Sequence, residues 1–284
     1  MRRVLNRPTA RRFGFMPTPT SAKTVLAVVN PFEHSLSGTN AMLVVPPLLQ
    51  AIRSLEETSR PYRIVSHETD DGRAFNCAYF DGAESYSNYR TWFVKHALTP
   101  GGTYYAAHAA AFEEAGSMPS GETWMWGVGQ HTLSDTRAGA YQIGMGQRYS
   151  RMIFRDAAAR AEAEEAVLTP GFEERLSRGM EAAGISYHGR LVMSDESGDG
   201  WFTQSRYGSL EDAHRGTALV RMLLHAEMER REGACVEHTH NGALRAKPTG
   251  FSIYRWFASY ETITGRIAST WLVTPPDRQV GGGS

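Results

Sequence analysis

What most limits the fold of this chain is the irregular order in which strand-like and helix-like segments follow one another. Lys23-Thr-Val-Leu-Ala-Val-Val-Asn30 is a β-branched apolar run closed by Asn-Pro, the pattern of a buried strand. Pro47 to Glu57 then carries apolar residues at helical spacing and stops at Pro61. Tyr62-Arg-Ile-Val65 and Ala74 to Phe80 flank Asp70-Asp71-Gly72, a hairpin signal. Helices are expected over Ser87 to Leu98 and Tyr104 to Ala115, over Asp156 to Val167, and over Phe172 to Ala183 with Gly184 as its stop. Arg190 to Met193 reads as a strand, and Ser209 opens a helix whose apolar stripe is Leu219, Met222, Leu223 and Ala226. Phe251 to Tyr260 and Ile267 to Val273 complete the set. Such interspersion without strict alternation predicts an α+β fold with a mixed or antiparallel sheet rather than a doubly wound parallel one.

The boundaries follow from composition. Arg2, Arg3, Arg7, Arg11 and Arg12 all precede the first acidic residue, Glu33, and Pro8, Pro17 and Pro19 break any helix there. Residues 1–22 are therefore expected to be an extended basic arm, residues 23–277 one large α+β domain, and residues 278–284 a tail ending in a Gly-Gly-Gly-Ser linker. Thirty basic and thirty acidic side chains leave no net charge, so attraction to nucleic acid or to a lipid surface would have to be local. No apolar run is long enough to cross a membrane, and the N-terminus lacks the apolar stretch of a secretory signal. The expected setting is cytoplasmic, or within a virion-like assembly. Two cysteines, Cys77 and Cys235, are too few for a disulfide framework or a four-sulfur metal site.

Residues 121–154 read as a long β-ribbon, because Trp124, Trp126 and Val128, and then Tyr141, Ile143 and Met145, alternate with small or polar residues across the 134–139 loop. Its twinned strings, Gly127-Val-Gly-Gln130 and Gly144-Met-Gly-Gln147, let another backbone come close. Arg148 and Arg151 stand beside them among aromatic residues, a combination able to hold phosphates and stack on bases. With the arm's five arginines, these two make up the candidate nucleic-acid-binding set, for either RNA or DNA.

The catalytic signatures are thin. There is no nucleophile elbow, no phosphate-binding glycine loop and no His-Glu-x-x-His. His238 and His240 share a face if their segment is a strand, but a catalytic zinc needs three protein ligands and no third stands at a recognisable spacing. No metal, cofactor or catalytic residue is assigned from the sequence.

Tyr187-His-Gly-Arg190 before a strand resembles the opening of some ADP-ribosyltransferases. His214-Arg-Gly-Thr-Ala-Leu-Val-Arg-Met-Leu-Leu224, with Asn241 to Arg245 and Gly250-Phe251, resembles the acetyl-CoA-binding half of the GNAT acetyltransferases over residues 209–270. That likeness implies an acyl-CoA-dependent N-acyltransferase whose pyrophosphate sits on bare amides at a helix N-terminus. Ala218 and Val220 stand where that pattern wants the smallest residues. The leading expectation is accordingly a non-catalytic subunit of a larger homo- or hetero-oligomeric assembly, a capsid-like shell or a nucleoprotein complex, with the acyltransferase as the alternative.

Overall fold

The computed structural model describes residues 23–32, 45–115, 125–131, 141–195, 197–232 and 256–272. Among these, the first half of the chain runs β1 (Lys23–Phe32), α1 (Pro46–Ser54), β2 (Arg63–Glu68), β3 (Ala74–Phe80), α2 (Ala83–Phe93), α3 (Tyr105–Ala115) and β4 (Met125–His131). The second half runs β5 (Gly146–Phe154), α4 (Ala157–Val167), α5 (Pro170–Ala182), β6 (Tyr187–Asp195), β7 (Gly200–Tyr207), α6 (Leu210–Glu232) and β8 (Phe257–Leu272).

The two halves repeat one plan. In the first, the strands lie side by side in the order β4-β1-β3-β2, and in the second in the order β8-β5-β7-β6. Each is the fourth, first, third and second strand of its half in turn, the split βαβ arrangement called ferredoxin-like. Every pairing is antiparallel. An open sheet of this kind has two bare edges, and here each half covers the other's: β2 pairs with β8, and β4 with β6. The eight strands close into one barrel within a single chain. That removes the edges at which strands otherwise aggregate.

The local chemistry explains the element ends. Asp156 caps α4 by accepting from the Ala159 amide at 2.7 Å. Thr169 caps α5 in the same way, with Pro170 in its first turn, and the Ser209 hydroxyl accepts from the Asp212 amide at the head of α6. The strands then separate two kinds of core by their two-residue period. Leu26, Val28, Ile64, Ala78 and Phe80 face outward against α1, α2 and α3. Met152, Phe154, Trp201 and Tyr207 do the same against α4, α5 and α6. Between them, Ala27, Val29, Val65, Phe75, Cys77, Tyr79, Tyr149, Met193, Phe202, Ile263 and Ile267 point into the barrel. Eight strands leave an interior just wide enough to be filled by side chains or to hold one small ligand.

The α+β class and the single antiparallel sheet stand as expected, and the hairpin around Asp70-Asp71-Gly72 is β2 and β3. The long Gly/Trp ribbon over 122–154 does not form. β4 is taken up by β1 and β6, and β5 by β7 and β8, so alternation recorded two strands of one barrel and not their mutual pairing. Tyr141 and Met145 belong to a turn ahead of β5. The close backbone approach expected at the ribbon glycines does occur at Gly146, where an added Cβ would lie 2.1 Å from the Ser209 carbonyl of the same chain. Ile267 and Tyr260, expected in separate elements, lie on one sixteen-residue strand, β8, which serves β5 with one end and β2 with the other. On α6, Met222 and Ala226 turn to solvent, and Ala213, Gly216 and Glu227 are the buried positions. The basic arm, including Arg2, Arg3, Arg7, Arg11 and Arg12, lies outside the described residues, as do His238, His240 and Cys235.

Candidate functional site

One end of the barrel interior is polar, and it is assembled at the seam between the halves. β2 and β5 flank β8 on its two sides, with Gln147 opposite Gly265 and His67 opposite Ile267. Two strands apart is about 10 Å of backbone separation. The side chains of His67 and Gln147 nevertheless meet, with His67 Nε2 2.7 Å from Gln147 Oε1, because the inward position between them is a glycine. A Cβ on Gly265 would come 2.7 Å from the Phe75 ring, 2.8 Å from the Glu68 carbonyl oxygen and 3.1 Å from His67 Cβ. A glycine at 265 is what this convergence requires.

From Gln147 the polar chain runs across the barrel. The Tyr149 hydroxyl donates to Gln147 Oε1 at 2.6 Å and shares a 2.9 Å hydrogen bond with the Tyr79 hydroxyl. The Gln204 amide donates to the hydroxyls of Tyr141 at 3.2 Å and Tyr149 at 3.5 Å. His67, Phe75, Tyr79 and Tyr149 come from strands of both halves, so neither half contains the group by itself. The rings fix one another: His67 stacks on Phe75 with centroids 4.2 Å apart, and Tyr149 meets both edge-on.

The charge state follows from burial. Desolvation pulls the His67 imidazole down to about 4, against the opposing hydrogen bond that it donates to Gln147 Oε1 and the nearby Phe75 and Val65 backbone. The same cause lifts the Tyr79 and Tyr149 phenols well above their ordinary value and pushes the Cys77 thiol up to about 12. At neutral pH the chain is thus uncharged, with the neutral imidazole as its one nitrogen able to accept a proton. Cations stand at its margin: the Arg63 guanidinium lies 4.7 Å over the Tyr141 ring, and the charge of Arg206 opposes the burial that raises the Tyr141 phenol. Two amide atoms of the chain are unspent, as is the Nδ1 atom of His67. Gln147 Nε2 and Gln204 Oε1 are fully buried and have no hydrogen-bond partner. A buried amide atom left in this way costs about 1–3 kcal/mol, which a bound molecule with matching polar atoms would recover.

The two ribbon arginines do not come together. Arg151 points into the other end of the barrel, where its Nε lies 3.3 Å from Asp195, a buried carboxylate that also accepts from Ser197 and from the Gly200 amide. Arg148 points out of the barrel, under α6, with 5% of its surface exposed. The acetyltransferase-like stretch also takes a different form. Residues 214–224 lie inside the continuous helix α6, so their amides are committed to intrahelical bonds and none is free for a pyrophosphate. Among the described residues no group of three or more His, Cys, Asp or Glu side chains could hold a metal ion, and no helix is long and apolar enough to cross a membrane.

Sequence reasoning passed over His67, Tyr79, Tyr149 and Gln204. The available signal was period two: Arg63, Val65 and His67, then Phe75, Cys77 and Tyr79, fall on one face of a hairpin, and Ile64, Ser66, Ala74, Asn76, Ala78 and Phe80 on the other.

No protein-family model matches the chain, and no curated protein matches it in sequence. Solved structures resemble it in shape. A chlorite dismutase variant from Candidatus Nitrospira defluvii has 12% identity and a TM-score of 0.43, over 86% of this chain and 90% of its own. An anthrone oxidase-like protein has 12% identity and a TM-score of 0.46, over 88% and 93%. A candidate monooxygenase from Lactobacillus acidophilus has 9% identity and a TM-score of 0.39, over 89% and 97%. Likeness at this level assigns no residue a role. The expectation of a non-catalytic capsid-like or nucleoprotein subunit is corrected on the fold itself: the ribbon that was to meet nucleic acid does not form, its two strands being taken up by other strands of the barrel.

Proposed function

We propose that this chain is an enzyme acting on a small planar molecule that carries hydroxyl or carbonyl oxygens, taken into the polar end of the barrel. The observation that carries this reading is the pair of fully buried, unspent amide atoms, Gln147 Nε2 within the His67–Gln147–Tyr149–Tyr79 chain and Gln204 Oε1 on the side chain that bonds to Tyr149. A core built only for stability is better served by apolar side chains than by a polar network left partly unsatisfied. The flat faces around the chain suit an aromatic or conjugated ligand, and the amides and phenols would orient its oxygens. In this reading neutral His67 accepts a proton from an acidic O–H or C–H of the substrate. The conjugated anion that remains is held by the Tyr149 and Tyr79 hydroxyls and favoured by the marginal charges of Arg63 and Arg206.

The test uses 1-naphthol as probe, with binding followed by fluorescence and proton loss by the absorbance of the naphtholate anion. The expected result is saturable binding to the wild type, weakened roughly tenfold or more in Gln204→Leu, with the naphtholate absorbance lost but binding kept in His67→Gln. A wild type that shows no saturable binding, or a Gln204→Leu variant that binds equally well, overturns the assignment of the barrel interior.

A further inference from the structure

Strand β5 sends its side chains to two layers, and the outer one holds an unbalanced pair of charges. Arg148 lies beneath α6, its Nε donating to Thr262 Oγ1 at 3.1 Å and its Nη2 donating to the Tyr260 hydroxyl. Its guanidinium carbon stands 5.9 Å from the centre of the Tyr260 ring. Neither partner is a carboxylate. On α6 above it, Arg221 follows Ala213 and Thr217 at four-residue spacing, on the side of the helix that packs against β5, β7 and β8. The Nε of Arg221 is buried and has no hydrogen-bond partner. Burial lowers the pKa of this arginine, Tyr260 opposes that, and the charge of Arg148 adds to it, so both guanidinium groups feel the same tyrosine and each other.

Other arginines of the same half are answered by acids. Arg190 is bound to Glu173, Arg175 to Glu227 at 3.0 Å, Arg151 to Asp195, and Arg215 stands 3.7 Å from Asp212. Taking a guanidinium out of water without a counter-charge is costly, and two that repel each other cost more. The simplest way for a fold to retain such a pair is for an anion to complete it. We infer that Arg148 and Arg221, with Tyr260 and Thr262, form a binding site for an oxyanion, a carboxylate or a phosphate, between α6 and the outer face of β5 and β8. Arg148 supplies the buried floor, already oriented by its two hydroxyl partners. Arg221 is only partly buried and supplies the side through which a ligand enters. Arg148 and Tyr149 point to opposite faces of one strand, so this site lies outside the barrel and stands independently of the substrate proposed above.

The experiment is calorimetric titration of the full chain with inorganic phosphate and, separately, with citrate, at constant ionic strength in chloride. The expected result is saturable binding of one anion per chain, weakened roughly tenfold or more in Arg221→Gln and partly restored in Arg221→Lys. Binding of phosphate alone identifies a phosphate or phosphorylated ligand, and binding of citrate alone a carboxylate; either supports the site. Because Arg148 is packed beneath a helix, the variants are kept to Arg221. A second readout is thermal: without added anion, Arg221→Gln should melt at or above the wild-type temperature, since it removes one of two like charges. Saturable binding of neither anion, or equal binding by Arg221→Gln, would overturn the inference, as would a clear loss of thermal stability in the anion-free variant.

Discussion

Protonating His67 should cost this fold stability in a definite pH window. The imidazole is 1% exposed and its pKa is pulled down to about 4, whereas the unfolded chain returns it to the ordinary 6.5. Above pH 6.5 the ring is neutral in both states and contributes no pH dependence. Between 6.5 and 4 the unfolded chain binds the proton and the folded chain does not, so stability falls as pH falls; below 4 both are protonated and the loss is complete. A fall from 6.5 to about 4 amounts to about 3 kcal/mol in full, most of which is reached by pH 4.5. His108, whose pKa burial also draws down to about 4, adds its own loss over the same range, as do ordinary carboxylates. A difference measurement separates them: urea unfolding of the wild type and of His67→Gln at pH 7.5, 6.5, 5.5 and 4.5. The variant keeps an amide to meet Gln147 but cannot bind the proton, so its loss between pH 7.5 and 4.5 should be smaller by about 2–3 kcal/mol. Equal acid sensitivity in both proteins would show that His67 is not buried as a neutral ring, and the proton-accepting role would go with it.

Three other outcomes follow from the same geometry. Tyr149→Phe deletes the donor to Gln147 Oε1 and should lower unfolding free energy by about 1–3 kcal/mol; a change within experimental error would mean the hydroxyl chain is not formed. Gly265→Ala forces a methyl against the Phe75 ring and the Glu68 carbonyl and should cost about 1–3 kcal/mol while weakening naphthol binding, and an unperturbed variant would refute the close approach at the seam. Asp195→Ala removes the buried carboxylate that accepts from Arg151, Ser197 and the Gly200 amide, for an expected loss of about 3–5 kcal/mol in a melting or urea experiment. Stability near that of the wild type would place Arg151 in solvent instead.

The local elements were legible because they rest on short-range chemistry. The helix beginning at Ser209 was found from a capping residue, and the hairpin at 70–72 from an Asp-Asp-Gly turn between β-rich runs; both need only a few neighbouring residues. The pairing of β4 and β5 was misread for a related reason. Alternation reports that a strand has two different faces, but it is silent about which strand lies alongside. The choice between a ribbon and two strands of a barrel is made by edges more than a hundred residues apart, such as β2 against β8.

The candidate site divides along the same line. The sequence alone determined an α+β chain with no net charge to draw a polyanion, and it singled out the Gly-Met-Gly-Gln string and the arginine that follows it. Only the tertiary structure decided that Gln147 faces His67 across Gly265, and that Arg148 faces away, beneath α6 and beside Tyr260. Adjacent residues on a strand are sent to opposite faces, and the partners they find there come from segments 80 and 112 residues distant. Contacts of that range are set by the closure of the barrel, which no window of the sequence contains.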